Sequence, residues 1–184
     1  MSLKKHENNQ KKKVALIGCG LIGQSWAVSF LNAGFNVSLF DPVEGVTTQA
    51  KEKIKAKLRD LQNYKLLKNE KISDYLSKIH LAEDLSQAVA GSFYVQESGP
   101  EDLNIKKELT KTIDAATPEN IPIASSTSGI PTSLYASDIS GKHRCIVAHP
   151  INPPHLIPAV EIVPASFTSA ATTQTVKKFI ISID

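Results

Sequence analysis

Cysteine, aromatic residues and long apolar runs are all scarce in this sequence. Only two cysteines occur, Cys19 and Cys145, and they have neither C-x-x-C spacing nor a histidine and cysteine cluster beside them. That argues against a zinc site, and both read as reduced structural residues. No stretch approaches the roughly 18–20 apolar residues that a membrane-spanning helix requires. The polar N-terminus also lacks the apolar core of a secretory signal, so a cytoplasmic location is expected. A charge excess of one sign is missing as well. The net charge is +3, but Lys4, Lys5, Lys11, Lys12 and Lys13 supply a basic surplus in the first thirteen residues. The remainder is close to neutral, which gives no indication of nucleic-acid binding. Residues 1–11 hold almost no apolar side chains to bury and are expected to form a disordered leader.

What remains is an ordinary globular composition. With 184 residues, 41% of them hydrophobic and 21% charged, the chain suits one domain with a sizeable core, placed at 12–184. Short β-branched runs alternate with longer helical stretches, the pattern of a mostly parallel sheet covered by helices on both faces. Strands are expected at Val14–Ile17, Asn36–Phe40, Ile79–Leu81, Ser92–Gln96, Ile121–Ser125, Cys145–Ala148 and Val160–Val163. Helices are expected at Leu21–Asn32, Leu85–Val89, Asp102–Ala116 and Thr168–Ile183, with Gly34 as a natural stop after the first. Residues 44–78, with Ile54, Leu58 and Leu61 at helical spacing and a break near Asn63, read as two helices packed as a hairpin. Its charged surface suits either a solvated face or a basic arm for an anionic substrate. The last helix carries Val176, Phe179, Ile180 and Ile183 on one apolar face that needs a packing partner. Pro150, Pro153, Pro154 and Pro158 forbid a regular helix and make a stiff, extended segment, the kind of irregular chain on which sites are often built.

The run V-A-L-I-G-C-G-L-I-G places Gly18, Gly20 and Gly23 in a G-x-G-x-x-G arrangement between a strand and a helix that Leu21 and Ile22 open. The first glycine permits the tight turn, the second lets a pyrophosphate approach the backbone, and the third lets helix and strand pack closely. Phosphates would sit at the helix N-terminus, where unpaired N–H groups and the helix dipole favour an anion. Asp41, at the end of the second strand, is placed to accept hydrogen bonds from the adenosine ribose hydroxyls and to repel a 2′-phosphate, so NAD is expected rather than NADP. The plainer role for Asp41 is a turn residue before Pro42. Together these features describe a Rossmann-type, doubly wound α/β domain with a helical hairpin insertion.

Ser128 follows one strand, His149 ends another, and Glu161 lies on the next. The C-terminal ends of parallel strands face the ligand crevice, so the three can converge there. Oxidation of a secondary alcohol by NAD needs a base for the hydroxyl proton, a role suited to histidine. A carboxylate behind it would fix the tautomer, and a serine hydroxyl would position the substrate oxygen.

The segments G-C-G-L-I-G, V-Q-E-S-G-P-E-D-L, S-S-T-S-G and A-H-P-I-N-P-P-H-L-I-P-A-V-E-I-V-P resemble the 3-hydroxyacyl-CoA dehydrogenase family, in detail its lambda-crystallin (L-gulonate 3-dehydrogenase) branch. The resemblance runs from Lys12 to Asp184. It implies His149 as catalytic base, Glu161 as its partner, and Ser128 as the contact to the substrate oxygen. It also implies Glu97 and Asn152 near the nicotinamide and its ribose, and Lys106 near the cofactor. The implied activity is NAD-dependent oxidation of the 3-hydroxyl of a 3-hydroxyacyl-CoA or related 3-hydroxy acid. Family members continue into an all-helical second domain that supplies a catalytic asparagine, much of the substrate pocket and a homodimer contact. Nothing here corresponds to it, so the chain is expected to be part of a longer protein. Two other readings stand beside this one: a non-catalytic NAD-binding or structural module of lambda-crystallin type, and a methyltransferase that uses the same turn for S-adenosylmethionine. The second would leave Ser128, His149 and Glu161 without a role.

Overall fold

A computed structural model describes residues 12–68 and 71–183, so the expected leader at 1–11 lies outside the described residues. Among the described residues there are seven strands: β1 (Lys13–Ile17), β2 (Asn36–Phe40), β3 (Ile79–Leu81), β4 (Ser92–Glu97), β5 (Ile123–Ser125), β6 (Cys145–Pro150) and β7 (Val160–Pro164). They form one sheet in the order β3-β2-β1-β4-β5-β6-β7. The first six run parallel and β7 pairs antiparallel with β6. The strand order reverses between β1 and β4, and a crevice opens at such a switch point beyond the C-terminal strand ends.

Among the described residues seven α-helices cover the sheet: α1 (Leu21–Asn32), α2 (Val46–Asn63), α3 (Ile72–Leu76), α4 (Leu85–Val89), α5 (Leu103–Ala116), α6 (Thr132–Tyr135) and α7 (Ala170–Ile181). Alternation along β1 divides the core. Val14 and Leu16 pack into one apolar cluster with α1, α2 and α7, while Ala15 and Ile17 pack into another with α4, α5 and α6. All four are fully buried, as a central strand covered on both faces requires. Three helices are capped by side chains: Asp84, Asp102 and Ser169 each accept a backbone N–H of the first turn, which satisfies donors that have no partner within the helix. Gly34 adopts φ +98 after α1, the left-handed geometry that glycine tolerates best.

The structure refines three expectations. At 44–78 two helices form with the break after Asn63 as expected, α2 and then, after irregular chain, α3, but α3 is only five residues long. Asn32 holds the irregular part: its side chain donates to Leu66 O at 3.2 Å and accepts from Lys68 N at 2.9 Å. That segment follows a tertiary partner instead of its own helical propensity. The apolar face of the last helix finds the packing partner it needs. Phe179 is 7% exposed and Val176 is fully buried. The Phe179 ring lies 5.5 Å from Phe30, 5.0 Å from Phe93 and 4.5 Å from Tyr94, centroid to centroid, a contact range typical of stabilising aromatic pairs. Finally, α6 and a 3₁₀ turn at Lys142–Arg144 appear where no element was expected. The turn is tied down by the buried Arg144–Asp114 ion pair at 2.6 Å.

Candidate active site at the sheet switch point

The glycine-rich turn leaves β1 at Gly18, whose φ of +93 would strain any side chain. A Cβ there would also come within 2.6 Å of the Ser98 backbone. At Gly23 a Cβ would lie 2.0 Å from the Gly18 carbonyl oxygen, so this glycine lets α1 press against the turn. Gly20 differs, because a Cβ there would meet nothing within 4 Å. Its missing side chain leaves open space in front of the backbone. Helix α1 begins at this point with no capping side chain and no acidic residue in its first turn. Its first N–H groups and the positive end of its dipole therefore face that space, which suits a pyrophosphate. Leu21 is exposed and Ile22 half-buried at the edge of the space. Asp41 braces the turn, its carboxylate accepting from Cys19 N at 2.9 Å and Val43 N at 3.1 Å. Burial, followed by the Asp41 charge, pushes the Cys19 thiol up to about 12, which keeps it protonated and unreactive.

On the other side of the switch point, β6 and β7 bring together residues distant in sequence. Their antiparallel register sets His149 directly opposite Glu161, and Nδ1 lies 2.9 Å from Glu161 Oε2. The carboxylate fixes the proton on Nδ1 and leaves Nε2 for a ligand. His149 shares a cleft of about 420 Å³ with Ser128, Glu101, Ser98, Ile22 and Asn152. The structure thus brings Ser128, His149 and Asn152 to one cavity, with Glu161 behind the histidine. Asn152 begins the proline-rich segment, where the Asn152–Pro153 peptide is cis.

Glu97 and Lys106 sit beneath this cleft. Each side chain is 1% exposed, and Nζ lies 3.0 and 2.8 Å from the two carboxylate oxygens. Gly99 N and Ser125 Oγ also donate to Glu97. The carboxylate is fully engaged in anchoring the chain that follows β4, and the pair supports the cleft from below. In a strand covered on both faces, a carboxylate needs such partners to be buried at all.

Glu101, four residues further on, was missed by sequence reasoning. Its Oε1 accepts from Thr127 Oγ1 at 2.6 Å, Gly129 N at 3.0 Å, Ser128 N at 3.1 Å and Ser128 Oγ at 3.4 Å. Partial burial raises its carboxyl, but the hydrogen bonds from Thr127, Gly129 and Ser128 and the Lys106 charge outweigh this and hold it below the ordinary carboxylate range. Glu101 thereby orders the Ser128 loop. Its position in V-Q-E-S-G-P-E-D-L, past the end of a strand and at the crevice, was the available signal.

Residues 13–184 match the family model described as 3-hydroxyacyl-CoA dehydrogenase, NAD binding domain. Among relatives, the chain is 36% identical over 168 residues to the L-carnitine dehydrogenase of Streptomyces coelicolor, an alignment covering 91% of this chain and 52% of that protein. It is 39% identical over 161 residues to the lambda-crystallin homolog of Bos taurus, covering 86% and 50%. Among solved structures, 3-hydroxybutyryl-CoA dehydrogenase from Escherichia coli superposes with a TM-score of 0.86 at 25% identity, over 94% of this chain and 36% of that one. A 3-hydroxyacyl-CoA dehydrogenase from Archaeoglobus fulgidus gives 0.74 at 30% identity, over 94% and 54%. The chain spans about half the length of these two curated relatives. With the glycine turn, the doubly wound sheet and the His149–Glu161 pair in place, the chain belongs to the 3-hydroxyacyl-CoA dehydrogenase family, as its NAD-binding domain.

Proposed function

We propose that this domain is the cofactor-binding half of a dehydrogenase that oxidises the 3-hydroxyl of a 3-hydroxy acid or its CoA thioester. The observation that carries the proposal is the cross-strand pair of His149 and Glu161 at 2.9 Å, opening on the cleft that Ser128 shares. NAD, when bound, supplies the hydride acceptor. His149 Nε2 takes the hydroxyl proton as the C3 hydride leaves, and the alcohol becomes a ketone. Glu161 stabilises the imidazolium that forms, and Ser128, ordered by Glu101, hydrogen-bonds the substrate oxygen. Asn152 lines the same cleft and is assigned to the nicotinamide side of the cofactor. Glu97 and Lys106 act from below by fixing the backbone between β4 and Glu101.

The relatives' names separate two substrate classes, a free hydroxy acid such as carnitine and a CoA thioester. The basic face of α2, where Lys53 and Arg59 are exposed, would suit the anionic groups of CoA. The two unpaired, buried cysteines support a reducing, cytoplasmic compartment. Among the described residues no helix is long and apolar enough to cross a membrane.

Calorimetry with NAD, NADP and S-adenosylmethionine tests the cofactor half. NAD is expected to bind in preference to the other two, and Asp41→Ala to weaken NAD about 10- to 100-fold, the loss of hydrogen bonds to a charged group. Preference for S-adenosylmethionine would reject the dehydrogenase reading. Turnover of a panel of 3-hydroxy acids and thioesters by the full-length protein then decides the substrate class, and its absence would favour a non-catalytic module of lambda-crystallin type.

A further inference from the structure

Beneath the cleft, a buried hydrogen-bond relay fixes the direction of one hydroxyl that faces into it. Tyr94 is 1% exposed, burial raises its phenol so that it keeps its proton, and the hydroxyl donates to Gln96 Oε1 at 2.7 Å. The Gln96 amide then points Nε2 at Ser126 Oγ, 2.8 Å away, and at the Ala148 carbonyl oxygen, 3.4 Å away. A reversed amide would set Oε1 against that carbonyl, so the orientation is chosen by its surroundings. Trp26 Nε1, which can only donate, also reaches Ser126 Oγ at 3.1 Å. Ser126 Oγ thus accepts two hydrogen bonds, which occupies both lone pairs. Its own hydrogen goes to Ser98 Oγ at 2.8 Å. Ser98 therefore acts as an acceptor toward Ser126 and keeps its hydrogen for another partner. Among the described residues its side chain has no other hydrogen bond, and it lines the cleft.

The location of Ser98 narrows what that partner is. It follows β4 at the switch point, with its N–H on the Ile17 carbonyl at 2.7 Å. Its backbone lies within 2.6 Å of where a Gly18 Cβ would stand, and its Cβ 3.6 Å from where a Gly23 Cβ would stand. Ser98 abuts the pyrophosphate turn, while His149 and Ser128 line the same cleft. In a dinucleotide, the part between the pyrophosphate and the reacting ring is the nicotinamide-side ribose.

We propose that Ser98 Oγ donates a hydrogen bond to an oxygen of the nicotinamide-side ribose of NAD, with Tyr94, Gln96, Trp26 and Ser126 holding it as a one-directional donor. The proposal rests on the dinucleotide site described above. Calorimetry with NAD, ADP-ribose and ADP on the chain and on Ser98→Ala tests it. NAD and ADP-ribose are expected to weaken about three- to tenfold, the loss of one neutral hydrogen bond, while ADP, which lacks that ribose, keeps its affinity. Ser98→Cys fills the hydroxyl's space with a weak donor and is expected to lose affinity for the same two ligands. Unchanged NAD and ADP-ribose affinities, or an equal loss for ADP, would overturn the proposal, as would a loss confined to NAD, which would place the contact on the nicotinamide itself. Failure of the unaltered chain to bind NAD would instead bring down the cofactor reading, and this proposal with it.

Discussion

The glycine turn and the His149 cluster face the same crevice, yet they are assembled in different ways. The turn is a short piece of chain, Gly18 to Gly23, braced by Asp41 after β2, in which backbone conformation and the absence of side chains do most of the shaping. The cluster draws on several separated segments: Glu101 after β4, the Ser128 loop after β5, His149 on β6 and Glu161 on β7. A site made of backbone can be written into a few adjacent residues, whereas one made of converging side chains depends on strand order and register.

This difference can be broken from either side. The largest effect is expected from His149→Gln, which removes the proposed base and should lower turnover of the protein about 100- to 10,000-fold. NAD affinity measured by calorimetry should stay close to that of the unaltered protein, because the turn is untouched. Parallel losses in turnover and cofactor affinity would mean that the two sites are not separable.

Lys106→Met cuts beneath the cluster. It leaves Glu97 buried without its counter-charge, and a cost of about 3–5 kcal/mol is expected in urea unfolding. Adding Glu97→Gln should recover much of that loss, because no isolated charge then remains. A double variant no more stable than Lys106→Met would show that the pair contributes through packing and not through charge.

The turn is sharpened by comparing two glycines. At Gly23→Ala the new Cβ strikes the Gly18 carbonyl, and a loss of about 1–3 kcal/mol is expected from overpacking against backbone. At Gly20→Ala the Cβ enters open space, so the urea midpoint should hold while NAD affinity falls. If Gly20→Ala bound NAD as tightly as the unaltered chain, the pyrophosphate would lie elsewhere.

Most elements were legible because their signals are local. The alternation of β-branched runs with amphipathic stretches and the stop at Gly34 each lie within a few residues of the structure they cause. The segment after α2 was not, because Asn32 decides it through hydrogen bonds to residues far along the chain. Nor was the cover over α7: an apolar stripe shows that something must pack there, and only the fold supplies Phe30, Phe93 and Tyr94. At the candidate site, the motifs pointed to the glycines, Asp41, His149, Ser128 and Glu161, and the fold brings Ser128 and His149 to one cleft with Glu161 paired to the histidine. Glu97 was named through the family resemblance, but its burial with Lys106 leaves Glu101 as the carboxylate that orders the Ser128 loop.

By itself the sequence determined the doubly wound α/β class, the glycine turn and the residue types available for proton transfer, since backbone geometry and hydrophobic periodicity act over short stretches. The tertiary structure decided which acid pairs with which base, which carboxylate faces the crevice, and where the free hydrogen of Ser98 is left to point. Those outcomes depend on strand order, on the β6–β7 register and on the cost of leaving a buried polar group without a partner.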